Sequence, residues 1–200
     1  KLKIKDIRGS IPATLMSLVN FSGEFEINKN KAEVKNLLVT TTNSQFKIDL
    51  SLKDIDVFRL PKLAEFKDKP VSLKLLANHL DFNELKSFIP EIYFLNGNTY
   101  VDLEANGKFG NLFIKKLNVA TYGSSVKLSG SISNLHRPNS LYLDVKIDDS
   151  KIIPKGISEL LRPFNIPKFP NVNQAAVFAS YKGNPLDFQS KVFMQSDVGT

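Results

Sequence analysis

The sequence predicts an all-β protein made of antiparallel strands with one apolar face. Three observations carry that reading. Apolar and polar residues alternate strictly along most of the chain, only two segments show clear helical spacing, and the strand pattern returns after about 80 residues. With 42% apolar and 10% aromatic residues in 200, the chain has enough greasy surface to order itself, which disordered compositions lack.

A period of two places successive side chains on opposite faces of a strand. Phe46, Ile48, Leu50 and Leu52 fall on one side, opposed by Gln45, Lys47, Asp49, Ser51 and Lys53. Val101, Leu103 and Ala105 oppose Tyr100, Asp102 and Glu104, and Leu141, Leu143, Val145 and Ile147 oppose Tyr142, Asp144, Lys146 and Asp148. Shorter runs repeat the pattern at Leu73, Leu75 and Ala77, at Leu117, Val119 and Thr121, at Val126 and Leu128, and at Val177, Ala179 and Tyr181. Such alternation belongs to antiparallel sheet with one dry face, because parallel sheets are covered on both.

Two segments break the period. Asp81 to Pro90 puts Phe82, Leu85, Phe88 and Ile89 on one helical side, with Asp81 or Asn83 able to cap it and Pro90 to stop it. Ile157, Leu160, Leu161 and Phe164 follow the same spacing, and Pro163 forces an end near Arg162. Helices of two or three turns are not stable alone, so each is expected to dock on the sheet. Val57 to Phe66, interrupted by Pro61, reads either as a turn plus a helical turn or as a bent edge segment.

The repeat organises these elements. Leu37, Val39, Thr41, Ser44, Phe46, Ile48, Leu52 and Ile55 return 80 positions later as Leu117, Val119, Thr121, Ser124, Val126, Leu128, Ile132 and Leu135. Val19, Phe21, Gly23 and Phe25 return as Leu103, Ala105, Gly107 and Phe109, and a third copy opens at Val177, Ala179, Tyr181 and Gly183. About two and a half units result, divided as 1–90, 91–164 and 165–200. Each unit leaves a sheet edge that the next must cover. Periodicity leaves two architectures open: one long sheet whose twist rolls its apolar face into a trough, and a closed two-sheet sandwich. Strands of about six to eight residues would make such a trough roughly 20 to 25 Å across.

Composition excludes several chemistries. The absence of cysteine removes disulfides, thiolate metal sites and thiol nucleophiles. The two histidines, His79 and His136, are too far apart for a helical metal pair and are expected near strand ends, at the surface or half-buried. No GxSxG, P-loop, GxGxxG or HExxH string occurs, and no enzymatic activity, metal or cofactor is expected. Asp148 and Asp149, as neighbours on a strand, are expected to point to opposite faces, and Asp54 and Asp56 read as a solvated strand end. The net charge of +7 is spread along the chain, with Lys115-Lys116 its longest pure run, which argues against a nucleic-acid site. Lys1 to Ile7 already alternates without an initiator Met, and Val192 to Thr200 stops inside a strand-like pattern. The chain therefore reads as an excerpt of a longer one, and a missing targeting segment says nothing about location.

The stretch Glu91 to Leu135, EIYFLNGNTYVDLEANGKFGNLFIKKLNVATYGSSVKLSGSISNL, resembles the periplasmic repeat region of the TamB branch of the AsmA-like superfamily. Its flanks do so too: LDFNELKSFIP before it, then LYLDVKIDDSKI and the glycine-containing strand Tyr181 to Phe188 after it. Val34 to Leu52 is similar to that family's threonine and serine layer followed by a strand. The likeness spans essentially the whole chain. It implies a long twisted sheet curled into an open, taco-like groove, anchored in the inner membrane in the full-length protein and crossing the periplasm of a Gram-negative envelope. Phospholipid is the implied cargo and a barrel-assembly protein of the outer membrane the implied partner, bound through parts outside these residues. A role as scaffold in outer-membrane protein assembly is the alternative. The groove floor would then consist of Leu37, Val39, Phe46, Ile48, Leu50, Leu52, Leu103, Leu117, Val119, Val126, Leu128, Ile132, Leu141, Leu143 and Val145.

Overall fold

The computed structural model describes residues 1–10, 17–59, 61–86, 90–164, 167 and 169–199. Eleven antiparallel strands form one sheet in simple chain order. They are β1 (Leu2–Ser10), β2 (Ser17–Asn28), β3 (Lys31–Thr41), β4 (Gln45–Lys53), β5 (Pro70–Asp81), β6 (Asn98–Lys108), β7 (Asn111–Thr121), β8 (Ser124–Ser133), β9 (Tyr142–Ile152), β10 (Ala175–Asn184) and β11 (Asp187–Ser196). Two short helices, α1 (Phe82–Leu85) and α2 (Pro154–Leu160), follow β5 and β9. The ambiguous stretch after β4 holds two 3-10 turns, Val57–Arg59 and Leu63–Phe66. Four strands and a helix thus occur twice in succession, β2 to α1 and β6 to α2, before β10 and β11 begin the order again.

The sheet is open. β1 and β11 are its two edges and do not pair with one another, and among the described residues every extensive strand contact is with the adjacent strand. Among the described residues no second sheet lies over the first, which excludes the sandwich alternative. Surface area says the same thing independently. A compact monomer of 22.4 kDa exposes about 9,400 Å², whereas this chain exposes 12790 Å². Few apolar side chains are deeply buried: Val39, Ile55, Ala77, Leu80, Ala105, Ile114, Val145 and Ala175.

The strands are longer than alternation alone suggested, at nine to twelve residues. They are longer because bulges carry the pattern past its breaks. In β3, Val34 pairs with Leu50 and Leu37 with Ile48, so Lys35 and Asn36 together oppose Asp49, whose carboxylate accepts from the Asn36 amide at 2.6 Å. In β7, 80 positions on, Ile114 pairs with Gly130 and Leu117 with Leu128, leaving Lys115 and Lys116 opposite Ser129. Each bulge also bends and twists its strand, which is how a long sheet acquires curvature.

The helices are stopped and docked locally. The Asp81 carboxylate accepts from the Asn83 amide at 2.8 Å and caps α1, which decides between the two caps the sequence allows; Phe88 and Ile89 lie outside the described residues. α2 opens on Pro154 in the first helical position, where its missing amide costs nothing, and ends at Leu160, just before Arg162 and Pro163.

Candidate functional site

The pairing register aligns the apolar side chains into continuous rows across the strands. One row runs Ile4, Gly23, Leu37, Ile48, Leu75, Leu103, Leu117, Leu128, Ile147, Ala179, Val192, so all eleven strands contribute an apolar residue or glycine. Beside it lie Phe21, Val39, Phe46, Ala77, Val101, Val119 and Val126. On the other side lie Phe25, Val34, Leu50, Leu73, Ala105, Ile114, Gly130, Val145 and Tyr181, and beyond them Ala32, Leu52, Val71, Gly107, Leu112, Ile132, Leu143, Gly183 and Phe188. Alternate residues on one strand are about 6.6 Å apart and strands about 4.8 Å apart. The rows therefore form an apolar floor roughly 20 Å wide and about 48 Å long.

Most of this floor stays partly open to solvent. Leu37, Phe46, Ile48, Leu103, Leu117, Val119, Val126, Leu128, Ile132 and Leu143 are half-buried, as are Leu50 and Leu52, while Val39 and Val145 are buried. Aromatic pairs stand on it near both ends: Phe21 stacks on Phe25 at 6.0 Å and Tyr181 on Phe188 at 4.7 Å. No charged side chain interrupts the rows named above.

One sequence-assigned floor residue, Leu141, lies one position before β9, between the 3-10 turn Pro138–Ser140 and Tyr142, with extended backbone and a half-buried side chain. Conversely, strict alternation missed Val34 and Ile114. Each sits three positions before a floor leucine, and the apolar–polar–polar–apolar spacing, present twice at the repeat offset, is the signal of the bulge.

The opposite face is mostly polar and ion-paired across strand boundaries, although Leu76, Phe113 and the tilted pair Phe178–Phe193 stand exposed on it. Lys1 and Lys3 meet Glu24 at 2.9 and 2.8 Å, Lys115 meets Glu104 at 3.0 Å, Lys116 meets Asp102 at 2.7 Å, and Lys182 meets Asp144 at 3.0 Å. Hydrogen bonds from Lys1 and then Lys3 hold the Glu24 carboxyl down at about 2. Those from Lys115 and Lys127 lower Glu104 and Asp149, and the hydrogen bond to Asp102 raises Lys116.

Two further expectations need correction. Asp148 and Asp149 do not diverge to opposite faces. A register shift between β9 and β10 sets both of them opposite Phe178 alone, and Asp149 reaches Lys127 at 2.6 Å on the polar side. His136 lies in the β8–β9 connection and is buried rather than superficial, its Nδ1 without a hydrogen-bond partner. His79 is exposed near the end of β5.

Both helices sit along the same margin of the sheet, since β5 and β9 run in the same direction and lie four strands apart. They rest on matching turns. The Ser44 hydroxyl accepts from the Asp81 amide at 3.0 Å, and the Ser124 hydroxyl accepts from the Ile153 amide at 2.9 Å. Phe94 from the α1–β6 connection packs edge-on against Phe164 after α2 at 5.3 Å, and the Asn96 amide donates to the Leu160 carbonyl at 3.0 Å, which ties the first helix's connection to the second helix. No protein-family model, curated protein or solved structure matches the chain.

Proposed function

We propose that this chain is a length of a bridge-like lipid-transfer protein, carrying phospholipid acyl chains along its apolar face between the inner and outer membranes of a Gram-negative envelope. One observation supports the reading above all: apolar rows continue across eleven strands on a face that no second sheet covers among the described residues. Burying a methylene is worth about 0.8 kcal/mol, so a 16-carbon chain gains on the order of 10 kcal/mol by leaving water. A floor of Leu, Val, Ile and Phe offers that gain nearly evenly along its length. With no directional hydrogen bonds to break, an acyl chain slides between equivalent positions while its head group rides in water at the margin.

The test is transfer of a fluorescent phospholipid between donor and acceptor vesicles by the protein and by Val119→Glu and Leu128→Arg. Both residues lie mid-floor and half-buried. The reading expects both variants to keep their β circular dichroism and to lose transfer at least tenfold. Wild-type transfer by folded variants contradicts it, and so does outright unfolding, which would make these side chains packed core.

A scaffold role in outer-membrane protein assembly is the second reading, supported by the unpaired outer sides of β1 and β11 among the described residues. Prolines at alternate positions of β11 would abolish capture of a partner strand in that case and leave lipid transfer intact.

A further inference from the structure

Where the floor meets α2, the apolar surface folds over on itself. Ile152 at the end of β9, Ala175 of β10 and Met194 of β11 form the bottom of a cavity of about 300 Å³; Ile157 of α2 forms one wall, and Phe169 and Val172 from the α2–β10 connection form another. The cavity opens onto the floor, because Ala175 pairs with Ile152, and Met194 pairs with Val177, two positions along β10 from Ala179 in the central row. Its chemistry restricts what can enter. Among the described residues no charged one lines it. The Ser196 hydroxyl is already engaged, donating to the Gly199 carbonyl at 2.7 Å and accepting from the Val198 amide at 3.3 Å. Among the described lining residues no free polar side chain remains to recognise a head group, so selection rests on shape and apolarity. An apolar cavity of about 150 Å³ holds one benzene molecule; by the same packing, this one holds roughly a dozen carbon atoms.

We propose that this cavity is a holding site for the methyl end of a single acyl chain, which leaves the floor and turns beneath α2. The identity of the occupant rests on the lipid-carrying reading; the site itself rests on the cavity. A chain end lodged there is enclosed by α2 and the α2–β10 connection as well as by the sheet and dwells longer, which makes it a preferred stop along the floor.

The experiment uses dodecanoic acid bearing a diazirine at its methyl end, below its micelle concentration, photolysed on the purified protein and mapped by peptide mass spectrometry. The proposal predicts labelling concentrated in peptides containing Ile152, Ile157, Phe169 and Met194. It further predicts that Ile157→Trp, which fills the cavity, cuts that labelling at least tenfold and leaves the label on β6 to β8 unchanged. Met194→Trp, on the exposed edge strand, fills the cavity from the opposite side and gives the same result should Ile157→Trp fail to fold. Even labelling along the floor, insensitive to both substitutions, overturns the holding site and leaves the conduit standing. Label in the cavity with none on the floor upholds the site and overturns the conduit. Label confined to the polar face overturns both.

Discussion

The two helices on the sheet margin occupy equivalent places and are held there by opposite chemistry. Both begin where a serine hydroxyl, Ser44 or Ser124, accepts the amide that ends the preceding strand. Beyond that shared bond they differ in how the third helical residue is anchored. In α1 it is Glu84, a buried carboxylate that accepts from the Thr41 hydroxyl, from the Ser44 hydroxyl at 2.6 Å and from the Asn43 amide at 3.0 Å. In α2 it is Gly156, packed so close to the β7–β8 turn that an added Cβ would lie 2.4 Å from the Tyr122 carbonyl oxygen. One helix is tied down by a saturated polar cluster, the other by contact that only a missing side chain permits. The repeat conserves the position of the helix while the means of holding it is free to change, which is expected if the sheet dictates where the margin must be sealed.

Steric substitution should break this comparison most severely. Gly156→Val forces Cβ and its methyls into the Tyr122 backbone, at a cost of about 3 kcal/mol. The α2 amides of Ile157 and Leu161, bonded to the carbonyls of Ile153 and Ile157, should then exchange with solvent deuterium roughly 100-fold faster. Helix propensity alone predicts the reverse, since glycine is about 1 kcal/mol worse than alanine in a helix; slower exchange in Gly156→Ala would show that packing does not decide the site. Next in size, Glu84→Ala strands two hydroxyls and an amide, costing about 2 kcal/mol. It should speed exchange of the Lys86 amide, which closes α1 on the Phe82 carbonyl, while leaving α2 untouched; a change spreading to both helices would make the margin one cooperative unit. Removing the shared bond is milder. Ser124→Ala should cost about 1 kcal/mol, read at the Ile153 amide, and Ser44→Ala somewhat more because its hydroxyl also donates to Glu84.

Acid should produce the smallest effect, and on the other face. Glu24 is held at about 2 in the folded chain against an ordinary 4.5, so whatever stability its pairs with Lys1 and Lys3 add is present above 4.5 and lost as pH falls from there towards 2. Glu26, Glu33 and Glu104 are lowered in the same direction by Lys31, Lys35 and Lys115. Each half-buried glutamate meets its lysine at the solvent side of the sheet, so the pairs are individually weak and screened by salt. A urea titration at pH 3 and pH 6 should show a small loss of stability at the lower pH, shrinking further in 1 M NaCl, without change at α2.

The strands were legible in the sequence because alternation is imposed by the pleat itself, and one uncovered apolar face makes it unusually clean. Floor residues such as Ile48, Leu103 and Leu128 follow directly from it. Val34 and Ile114 did not, because a bulge shifts the phase by one residue and strict parity then assigns the wrong face. The same shift turned Asp149 to the polar side. Glu84 and His136 were illegible for a different reason: their burial depends on contacts with turns 40 or more and about 25 residues away in sequence, at Ser44 and Gly110, which no local period encodes. Whether the sheet closes on a second layer was equally beyond periodicity, since a floor and a core are written with the same residues.

If the proposed function holds, acyl chains occupy the uncovered rows. Native mass spectrometry of the purified protein, followed by extraction and lipid analysis, addresses it directly. The account predicts diacyl phospholipid bound to the protein as isolated, lost on Leu128→Arg substitution; protein that is lipid-free as isolated and stays so after incubation with phospholipid vesicles would contradict it.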